Sequence, residues 1–473
     1  MYSLLLLGLA SFVFSLFLTP FVRDQARRLG LVDQPDVHRK AHKTPVPRVG
    51  GVAILCATAG AFALLLLTGL NARTMIRDAL PFALRLLPAI LIVFGIGLAD
   101  DILDLKPWYK LGGEIVAAIF VWSEGVRLHA IEGHPFPTAV SLFLTVLWIV
   151  ACSNAVNLID GVDGLAAGAA LFATITSLIA GLLHGNMALA FATAPLAGAL
   201  IGFLRFNFNP ASIFLGDCGS LTLGFMLGCY GIVWSEKSTT LIGMTAPLLA
   251  LAVPLLDVSV SIARRFLRQQ PIFRGDYHHI HHKMLSRGLT PRRVVLVLYG
   301  FCGLAAAASL IITEAHRQYQ GLVIVLVSVT AWLGLQHLDY GEFATAGRLV
   351  FKGGFRRRLN AHMHLTGFEQ QLADCTSIDR CWDVLCSTYP HFGFRGIELE
   401  GETSKRHGIL NGNWLVQIDM QRLGTIRFFR NGDARDQDSS AVLFLDTIAL
   451  TFRSKLEELS EDEAVIPAFA NAD

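Results

Sequence analysis

Long apolar stretches recur along most of this chain, and they constrain its fold more than any other feature. Each is long enough, or nearly so, to cross the roughly 30 Å hydrocarbon core of a bilayer as a helix. They lie at residues 2–22, 50–70, 82–99, 110–122, 138–152, 164–183, 187–204, 217–234, 239–262, 294–313 and 321–338. Only 16% of the residues are charged, whereas soluble domains average about 25%. We therefore predict an all-α polytopic membrane protein with about eleven transmembrane helices.

Basic residues in short loops predict how these helices are oriented. Seven lysines and arginines lie between residues 23 and 48, after the first stretch, and eight lie between residues 264 and 293, around the ninth loop. Because basic loops stay in the cytoplasm, we expect the odd-numbered loops and the C-terminus to be cytoplasmic and the N-terminus to lie outside. The eight cysteines show no metal-type spacing, and we expect free thiols.

Four polar clusters all fall in odd-numbered loops. They are DDILD at residues 100–104, SNAVNLIDGVDGLAAG at 153–168, FLGDCGS at 214–220 and GDYHHIHHKM at 275–284. Any one of them could be a set of solvated loop residues. Because four clusters are predicted on the same side of the membrane, we expect one cytoplasmic site assembled from helix ends.

The residue types in these clusters favour phosphate chemistry. Carboxylates and a side-chain amide are hard oxygen ligands suited to Mg²⁺, which typically also binds water and substrate phosphates. Histidines and arginines donate hydrogen bonds to phosphate oxygens, and glycines let the backbone approach a ligand closely. The combination predicts metal-assisted phosphoryl transfer. The HHIHH run also allows a zinc site, although no cysteine accompanies it.

Five motifs, in this order, resemble one known family. They are VDQPDVHRKAHKTPVPRVGG, DDILD with Lys110, NAVNLIDGVDGLAAG, FLGDCGS and DYHHIHH. This pattern is similar to that of the polyprenyl-phosphate N-acetylhexosamine-1-phosphate transferases, over about residues 1–340. The resemblance implies transfer of an N-acetylhexosamine 1-phosphate from a UDP-sugar to undecaprenyl phosphate with release of UMP, and we expect the group to be GlcNAc-1-phosphate. This reaction would start a lipid-linked glycan of the cell envelope, such as lipopolysaccharide.

The same resemblance implies the partners and the cellular location. The metal would be Mg²⁺, with Mn²⁺ as the alternative, and the enzyme would lie among the lipids of a bacterial inner membrane with its active site in the cytoplasm. We expect no nucleic-acid partner, and a homodimer is one arrangement left open.

Residue roles follow from the resemblance position by position. The implied metal ligands are Asp217, Asn154 and Asp160, and the implied catalytic residues are Asp100, Asp101, Asp160 and His279. The implied substrate-binding residues are Asn157, Asp163, Lys110, Arg48, His281, His282 and Asp276. Adjacent carboxylates such as Asp100 and Asp101 repel each other, which raises one pKa and makes a proton acceptor plausible. Direct attack by the lipid phosphate and a covalent intermediate both remain open.

Some residues depart from the family pattern or allow other readings. Relatives often have Lys-x-x-x-Gln after the paired acids, whereas Glu114 follows Lys110 here. The HHIHH run is closer to the UDP-GlcNAc branch than to the branch that uses UDP-MurNAc-pentapeptide, which stays an alternative. DDILD also fits the magnesium-binding pattern of prenyltransferases, and a secondary transporter would bury acids too. For Asp257, helix packing and a functional role are both open.

The last quarter of the chain has a different character. We expect a transmembrane domain at 1–340, a basic juxtamembrane linker at 341–359 and a small cytoplasmic α+β domain at 360–473. Helix-like EQQLADCTSIDRCWDVL is followed by the strand-like segments GIELEG, WLVQIDM and GTIRFFRNG and by an amphipathic helix at 439–459. The domain contains no clustered catalytic set, so we expect a regulatory role through an unknown ligand or partner.

Overall fold

A computed structural model describes residues 2–33, 45–67, 72–131, 134–235, 247–267, 279–314, 321–330, 354–400, 404–410, 414–420, 424–430 and 439–459. The chain divides into two compact units, Met1–Tyr340 and Gly341–Asp473. Of the predicted linker, residues 341–353 lie outside the described residues, and the remainder belongs to a helix that begins at Gly354.

Helices make up nearly all of the first unit. They are α1 (Tyr2–Arg28), α2 (Gly50–Leu67), α3 (Ala72–Leu103), α4 (Pro107–Ser123), α5 (Thr138–Leu158), α6 (Leu165–Leu183), α7 (Met187–Asn207), α8 (Asp217–Ser235), α9 (Ala252–Leu267), α10 (Ile280–Ser286), α11 (Pro291–Glu314) and α12 (Gly321–Thr330). Two short antiparallel strand pairs join β1 (Val32–Asp33) to β2 (Val46–Pro47) and β3 (Ala130–Ile131) to β4 (His134–Pro135).

Eight helices in the described part of the chain are long and apolar enough to cross a membrane. They are α1, α2, the Pro81–Leu103 part of α3, α5, α6, α7, α8 and the Pro291–Thr313 part of α11. The polytopic prediction is therefore confirmed, whereas the count of eleven is not. The fourth stretch lies in α4, which has 17 residues and includes Lys110 and Glu114. The ninth and eleventh stretches include residues 239–246 and 331–338, which lie outside the described part.

Helix α8 is the most deeply buried of the eight long helices, with 94% of its apolar stretch buried inside the protein. Small residues allow its backbone to approach its neighbours closely, as in many membrane helix pairs. A Cβ added to Gly51 of α2 would lie 2.4 Å from the Gly219 nitrogen, and one added to Gly224 would lie 2.4 Å from the Cys152 oxygen of α5. These contacts fix the N-terminus of α8 beside the ends of its neighbours.

The stretch from Ser153 to Gly168 forms a helix junction. Helix α5 ends at Leu158, and α6 begins at Leu165 after Gly164, which has a φ of 80° that favours glycine. Its polar residues therefore lie at the end of α5 and in the turn that follows.

The second unit is an α+β domain, as predicted. It contains α13 (Gly354–Ala373), α14 (Ile378–Thr388), a 3₁₀ turn (Tyr389–Phe392), β5 (Gly396–Glu400), β6 (Lys405–Gly408), β7 (Trp414–Asp419), β8 (Thr425–Arg430) and α15 (Ser439–Thr447), which continues through a π turn (Ile448–Phe452) to residue 459. The antiparallel sheet has the order β6-β5-β8-β7, and a core of aliphatic and aromatic residues packs within the domain. All eight cysteines of the chain are free thiols, as predicted.

Candidate active site

The ends of α3, α4 and α8 bring two acids to one lysine. Lys110 Nζ lies 3.1 Å from Asp100 Oδ2 and 2.8 Å from Asp217 Oδ2. Asp100 lies in the last turn of α3, Lys110 lies in the first turn of α4, and Asp217 begins α8. Three predicted site residues from distant positions in the sequence therefore meet at a single point, which is the centre of the candidate site.

Helix α5 adds an amide to this centre. Asn157 Nδ2 donates hydrogen bonds to Asp217 Oδ1 at 3.0 Å and to Ser220 Oγ at 2.9 Å. Ser220 was missed by the sequence analysis, although its position three residues after Asp217 places both on one face of α8. Each Asp217 carboxylate oxygen thus has a polar partner supplied by another helix.

The two adjacent acids of α3 have different partners. Asp100 Oδ1 accepts the Leu105 backbone N–H at 2.8 Å, and its Oδ2 faces Lys110. Asp101 accepts backbone N–H groups from α8, with Oδ1 2.8 Å from the Asp217 nitrogen and Oδ2 2.9 Å from the Cys218 nitrogen. Asp100 therefore belongs, with Lys110, Asn157 and Asp217, to the polar centre of the site, whereas both oxygens of Asp101 contact the helix backbone.

The α5–α6 junction contributes two further acids. The pKa of Asp160 is raised well above its usual range, first because its carboxyl is buried and then because Asp217, Asp101 and Asp163 carry like charge. Asp163 Oδ2 accepts hydrogen bonds from Asn209 Nδ2 and from the Ala211 backbone N–H, both at 3.0 Å. Asp163 therefore holds the segment between α7 and α8 through this oxygen.

Asn154 lies one turn before Asn157 on α5 and contacts α4. Its Nδ2 donates to Glu114 Oε2 at 2.5 Å and to the Val150 carbonyl at 3.0 Å. Glu114 is only 1% exposed, and its Oε1 has no hydrogen-bond partner among the described residues. Both hydrogens of the Asn154 amide group thus have an acceptor. Its Oδ1 is the atom that can bind a cation or accept a hydrogen bond.

The predicted histidines pack against a buried acid of α9. His279 Nδ1 lies 3.2 Å from Asp257 Oδ2 and 3.3 Å from Ser261 Oγ. Asp257 Oδ1 also accepts the Ile280 backbone N–H at 2.8 Å, at the start of α10. Asp257, whose role the sequence left open, therefore holds the histidine segment. Asp276 lies outside the described residues.

His281 was predicted to contact the diphosphate, and in the structure its side chain is deeply buried. It is 1% exposed, and burial, with His282 and His279 nearby, lowers its pKa to about 4 despite the opposing charge of Asp257. An added Cβ on Gly161 would lie 3.0 Å from His281 Nε2, so the ring packs against the α5–α6 junction. His282 is partly exposed, with its ring centroid 4.3 Å from that of His281.

Arg48 belongs to a segment that is hydrogen-bonded to the residues just before α8. Its side chain is ion-paired with Asp33, and the Phe214 N–H donates to the Pro47 carbonyl at 2.8 Å. Gly216 has a φ of 74°, and an added Cβ there would lie 1.7 Å from the Arg48 carbonyl oxygen. Arg48 is therefore placed beside the N-terminus of α8.

The donor chemistry is compatible with a magnesium ion that uses few protein ligands. Among the residues that the structure describes, no three His, Cys, Asp or Glu side chains are arranged to hold a metal ion. Mg²⁺ is usually bound by one or two carboxylates together with water and substrate phosphates. Asp217, with the amide oxygen of Asn154 and the carboxyl of Asp160, supplies ligands of this type.

Comparison with known proteins identifies the family. The model for glycosyl transferase family 4 matches residues 83–235. A probable undecaprenyl-phosphate N-acetylglucosaminyl 1-phosphate transferase from Bacillus subtilis is 35% identical over 320 residues, which cover 66% of this chain and 86% of the relative. The chain belongs to glycosyl transferase family 4. The resemblance found in the sequence is therefore confirmed.

Other members of glycosyl transferase family 4 are similar to this chain to nearly the same degree. A decaprenyl-phosphate N-acetylglucosaminephosphotransferase from Mycobacterium tuberculosis is 35% identical over 338 residues, covering 64% of this chain and 81% of the relative. A phospho-N-acetylmuramoyl-pentapeptide-transferase from Streptococcus thermophilus is 33% identical over 295 residues, covering 58% and 86%. The family match includes Asp100, Lys110, Asn157 and Asp217, which form the polar centre.

Proposed function

We propose that this chain is a phosphotransferase that moves an N-acetylhexosamine 1-phosphate from a UDP-sugar to undecaprenyl phosphate and releases UMP. The observation that carries the proposal is the meeting of Asp100, Lys110 and Asn157 around the Asp217 carboxylate. The names of the relatives supply the polyprenyl phosphate and the N-acetylglucosamine phosphate, and the UDP-sugar donor is the one that the sequence motifs imply. The product would be the first intermediate of a lipid-linked cell-envelope glycan.

The polar centre suits phosphoryl transfer, which depends mainly on positioning and on neutralising charge. Lys110 places one positive charge between two carboxylates and can contact a phosphate oxygen from the same position. Asp100 lies beside it and is the candidate to accept the proton of the lipid phosphate. Mg²⁺, or Mn²⁺ as the alternative, would neutralise charge on the diphosphate when held by Asp217, Asn154 and Asp160. Asn157 would keep the Asp217 carboxylate oriented.

GlcNAc-1-phosphate is the transferred group that we favour. Two of the three relatives described above are named for N-acetylglucosamine, and they are slightly more similar than the relative named for the muramoyl pentapeptide. UDP-MurNAc-pentapeptide is the second candidate, because the relative named for the muramoyl pentapeptide is only slightly less similar. A prenyltransferase or a transporter is disfavoured by the family membership.

A substrate panel tests the proposed function directly. Purified protein is incubated with undecaprenyl phosphate, Mg²⁺ and either UDP-GlcNAc, UDP-GalNAc or UDP-MurNAc-pentapeptide, and UMP release is measured. We expect release with UDP-GlcNAc that depends on the lipid and is abolished by a chelator. Release without the lipid would indicate hydrolysis, and use of only the pentapeptide substrate would overturn the favoured sugar.

Asp217→Asn tests the centre of the site. The amide keeps the shape of the side chain but removes its negative charge, so we expect turnover to fall by at least about 100-fold. The variant should melt within a few degrees of the wild type, because Asn157 can still bond to the remaining oxygen. Turnover like that of the wild type would refute the central role of Asp217.

We also propose the finer membrane arrangement. With α4, α9 and α12 added to the eight long helices, eleven spans would place the N-terminus outside and the active site and C-terminus in the cytoplasm of a bacterial inner membrane. His184→Cys and Ser286→Cys test this in intact cells with a membrane-impermeant thiol reagent. We expect only His184→Cys to be labelled before permeabilisation, and the reverse pattern would invert the topology.

A further inference from the structure

We propose that Asp101 is a positioning residue that fixes the N-terminus of α8, and thereby the Asp217 carboxylate, and does not itself touch the substrates or the reacting atoms. The inference rests on the proposed function only for the reaction that this positioning serves. The sequence and the family resemblance both group Asp101 with Asp100 as catalytic acids. The contacts in the structure separate them.

Both oxygens of the Asp101 carboxylate accept backbone N–H groups. Its two oxygens accept the N–H groups of Asp217 and Cys218 at 2.8 and 2.9 Å, and these are the first two residues of α8. The first N–H groups of a helix have no partner within the helix, and the helix dipole favours a negative charge there. Asp101 thus supplies from α3 the acceptor that an N-cap side chain supplies in other helices.

Close packing holds Asp101 in this position. Gly97 lies one turn before it on the same face of α3, and a Cβ added at Gly97 would lie 2.6 Å from the Asp217 carbonyl oxygen. A Cβ added at Gly216 would lie 2.7 Å from Asp101 Oδ2. The backbone at Gly216 therefore lies against the carboxylate, and the backbone at Gly97 lies against the first turn of α8. This packing leaves the Asp101 side chain little freedom to turn toward a substrate.

Asp100 provides the contrast. Consecutive residues of a helix point about 100° apart, so Asp100 faces Lys110 while Asp101 faces the backbone of α8. The Lys110 ammonium in turn contacts Asp217. Asp100 therefore lies among the side chains of the polar centre, whereas Asp101 fixes the backbone from which the Asp217 side chain extends.

Hydrogen exchange in the full-length, substrate-free protein tests the capping contact. Asp101→Asn keeps the size of the side chain but has only one acceptor oxygen for two N–H groups. We expect peptides that contain the Asp217 and Cys218 amides to exchange about tenfold faster in this variant. Asp100→Asn is the matched control and should leave exchange at these amides unchanged, because Asp100 does not contact them.

Kinetics then distinguish a positioning residue from one that only supports folding. In Asp101→Asn we expect kcat to fall by about 100-fold while KM for UDP-GlcNAc stays within about threefold. The reason is that displacement of Asp217 weakens stabilisation of the transition state more than it weakens substrate binding. Unchanged exchange with abolished turnover would make Asp101 a catalytic residue. Faster exchange with unchanged kcat would make the cap purely structural. Either result overturns the proposal.

Two further outcomes remain decisive. If Asp101→Asn cannot be purified, hydrogen exchange in the wild type tests the capping contact. The Asp217 and Cys218 amides should then be protected from exchange without any ligand. Unprotected amides would overturn the cap. If the wild type releases no UMP with any UDP-sugar, the proposed function fails, while the exchange measurements still show whether Asp101 caps α8.

Discussion

At the scale of single residues, five acids of the first unit divide into two groups. Asp100 and Asp217 share Lys110 and form the polar centre. Asp101, Asp163 and Asp257 each accept at least one backbone N–H from another segment. Asp100 also accepts a backbone N–H, but from Leu105, which lies just after its own helix. A carboxylate that accepts N–H groups of a distant segment holds that segment in place, because those groups would otherwise lack partners. Identical residue types thus perform different tasks.

Glu114 carries the first residue-scale prediction. Glu114→Gln keeps an acceptor oxygen for Asn154, so we expect turnover within about threefold of the wild type. Glu114→Ala removes that acceptor and leaves the Asn154 donor unsatisfied, so we expect the free energy of unfolding to fall by about 1–3 kcal/mol and turnover to drop at least about tenfold. Thermal melting and UMP release measure both effects. Equal loss in the two variants would show that the carboxyl itself is required.

His281 carries a prediction about pH. Its pKa in the folded protein is about 4, below the ordinary value of 6.5, because the ring is buried. Between these two values the unfolded chain binds a proton that the folded protein does not, so the stability contributed by neutral His281 is complete above pH 6.5 and is lost as the pH falls toward 4. The loss amounts to at most about 3 kcal/mol.

Thermal melting from pH 7.5 to 4.5 measures this loss when the wild type is compared with His281→Gln. Asp160 changes stability in the opposite direction, since its raised pKa favours the folded state as the pH falls, and it is present in both proteins. We therefore expect the wild type to lose more melting temperature than the variant. Parallel curves would show that His281 does not titrate in this way.

At the scale of elements, the packing of α8 against α2, α3 and α5 determines the site geometry. Helix α8 begins with Asp217, so any shift of its first turn moves a residue of the polar centre. The contacts that prevent such a shift involve glycines, which permit backbone approach that any larger residue would block. Catalytic geometry therefore depends on residues that have no side chain.

Gly97→Ala tests this dependence. Its added Cβ would lie 2.6 Å from the Asp217 oxygen and 2.7 Å from the Cys218 Cα, both backbone atoms. We expect turnover to fall by about 100-fold because α8 must move. Gly95→Ala is the matched control on the same helix, since its added Cβ meets nothing within 4 Å and turnover should be unchanged. Similar activity of the two variants would show that α8 tolerates the displacement.

At the scale of the whole molecule, the described residues of the candidate site all belong to the first unit. The polar centre, the α5–α6 junction and the described histidines all lie before residue 290, within Met1–Tyr340. The second unit has its own core of aromatic residues, including Phe392, Phe428 and Phe444. Its sheet and helices form a separate α+β domain, for which a regulatory role remains our prediction.

Removal of the second unit tests this division. A chain ended after Gly353 keeps every group assigned to the reaction and the basic residues Arg348 and Lys352, which can interact with anionic lipids. We expect it to insert and to retain at least about half of the turnover of the full chain, because no assigned group is lost. Turnover per inserted molecule in matched membranes measures the outcome. A truncated chain that is well inserted but inactive would show that the second unit completes the site.

The sequence by itself determined the class of protein, the family and the clusters that form the site. Apolar stretches of bilayer length can be recognised locally, because hydrophobicity and length are properties of short segments. The motifs around Asp100, Asp160 and Asp217 were equally visible, since they occur as short runs in a fixed order. The free cysteines and the α+β character of the last quarter also followed from local patterns.

Only the tertiary structure decided which partners each polar residue contacts. Whether an acid faces Lys110, a helix N-terminus or a histidine depends on contacts between residues far apart in the chain, and residue type carries no information about them. Asp101 differs from Asp100 only by one step of a helix, yet that step turns it toward the backbone of α8. His281 is buried against the α5–α6 junction, where a Cβ on Gly161 would lie 3.0 Å from its Nε2, and no local pattern reveals this contact. Hydrophobicity is a local property, whereas the partner of a polar group is set by packing.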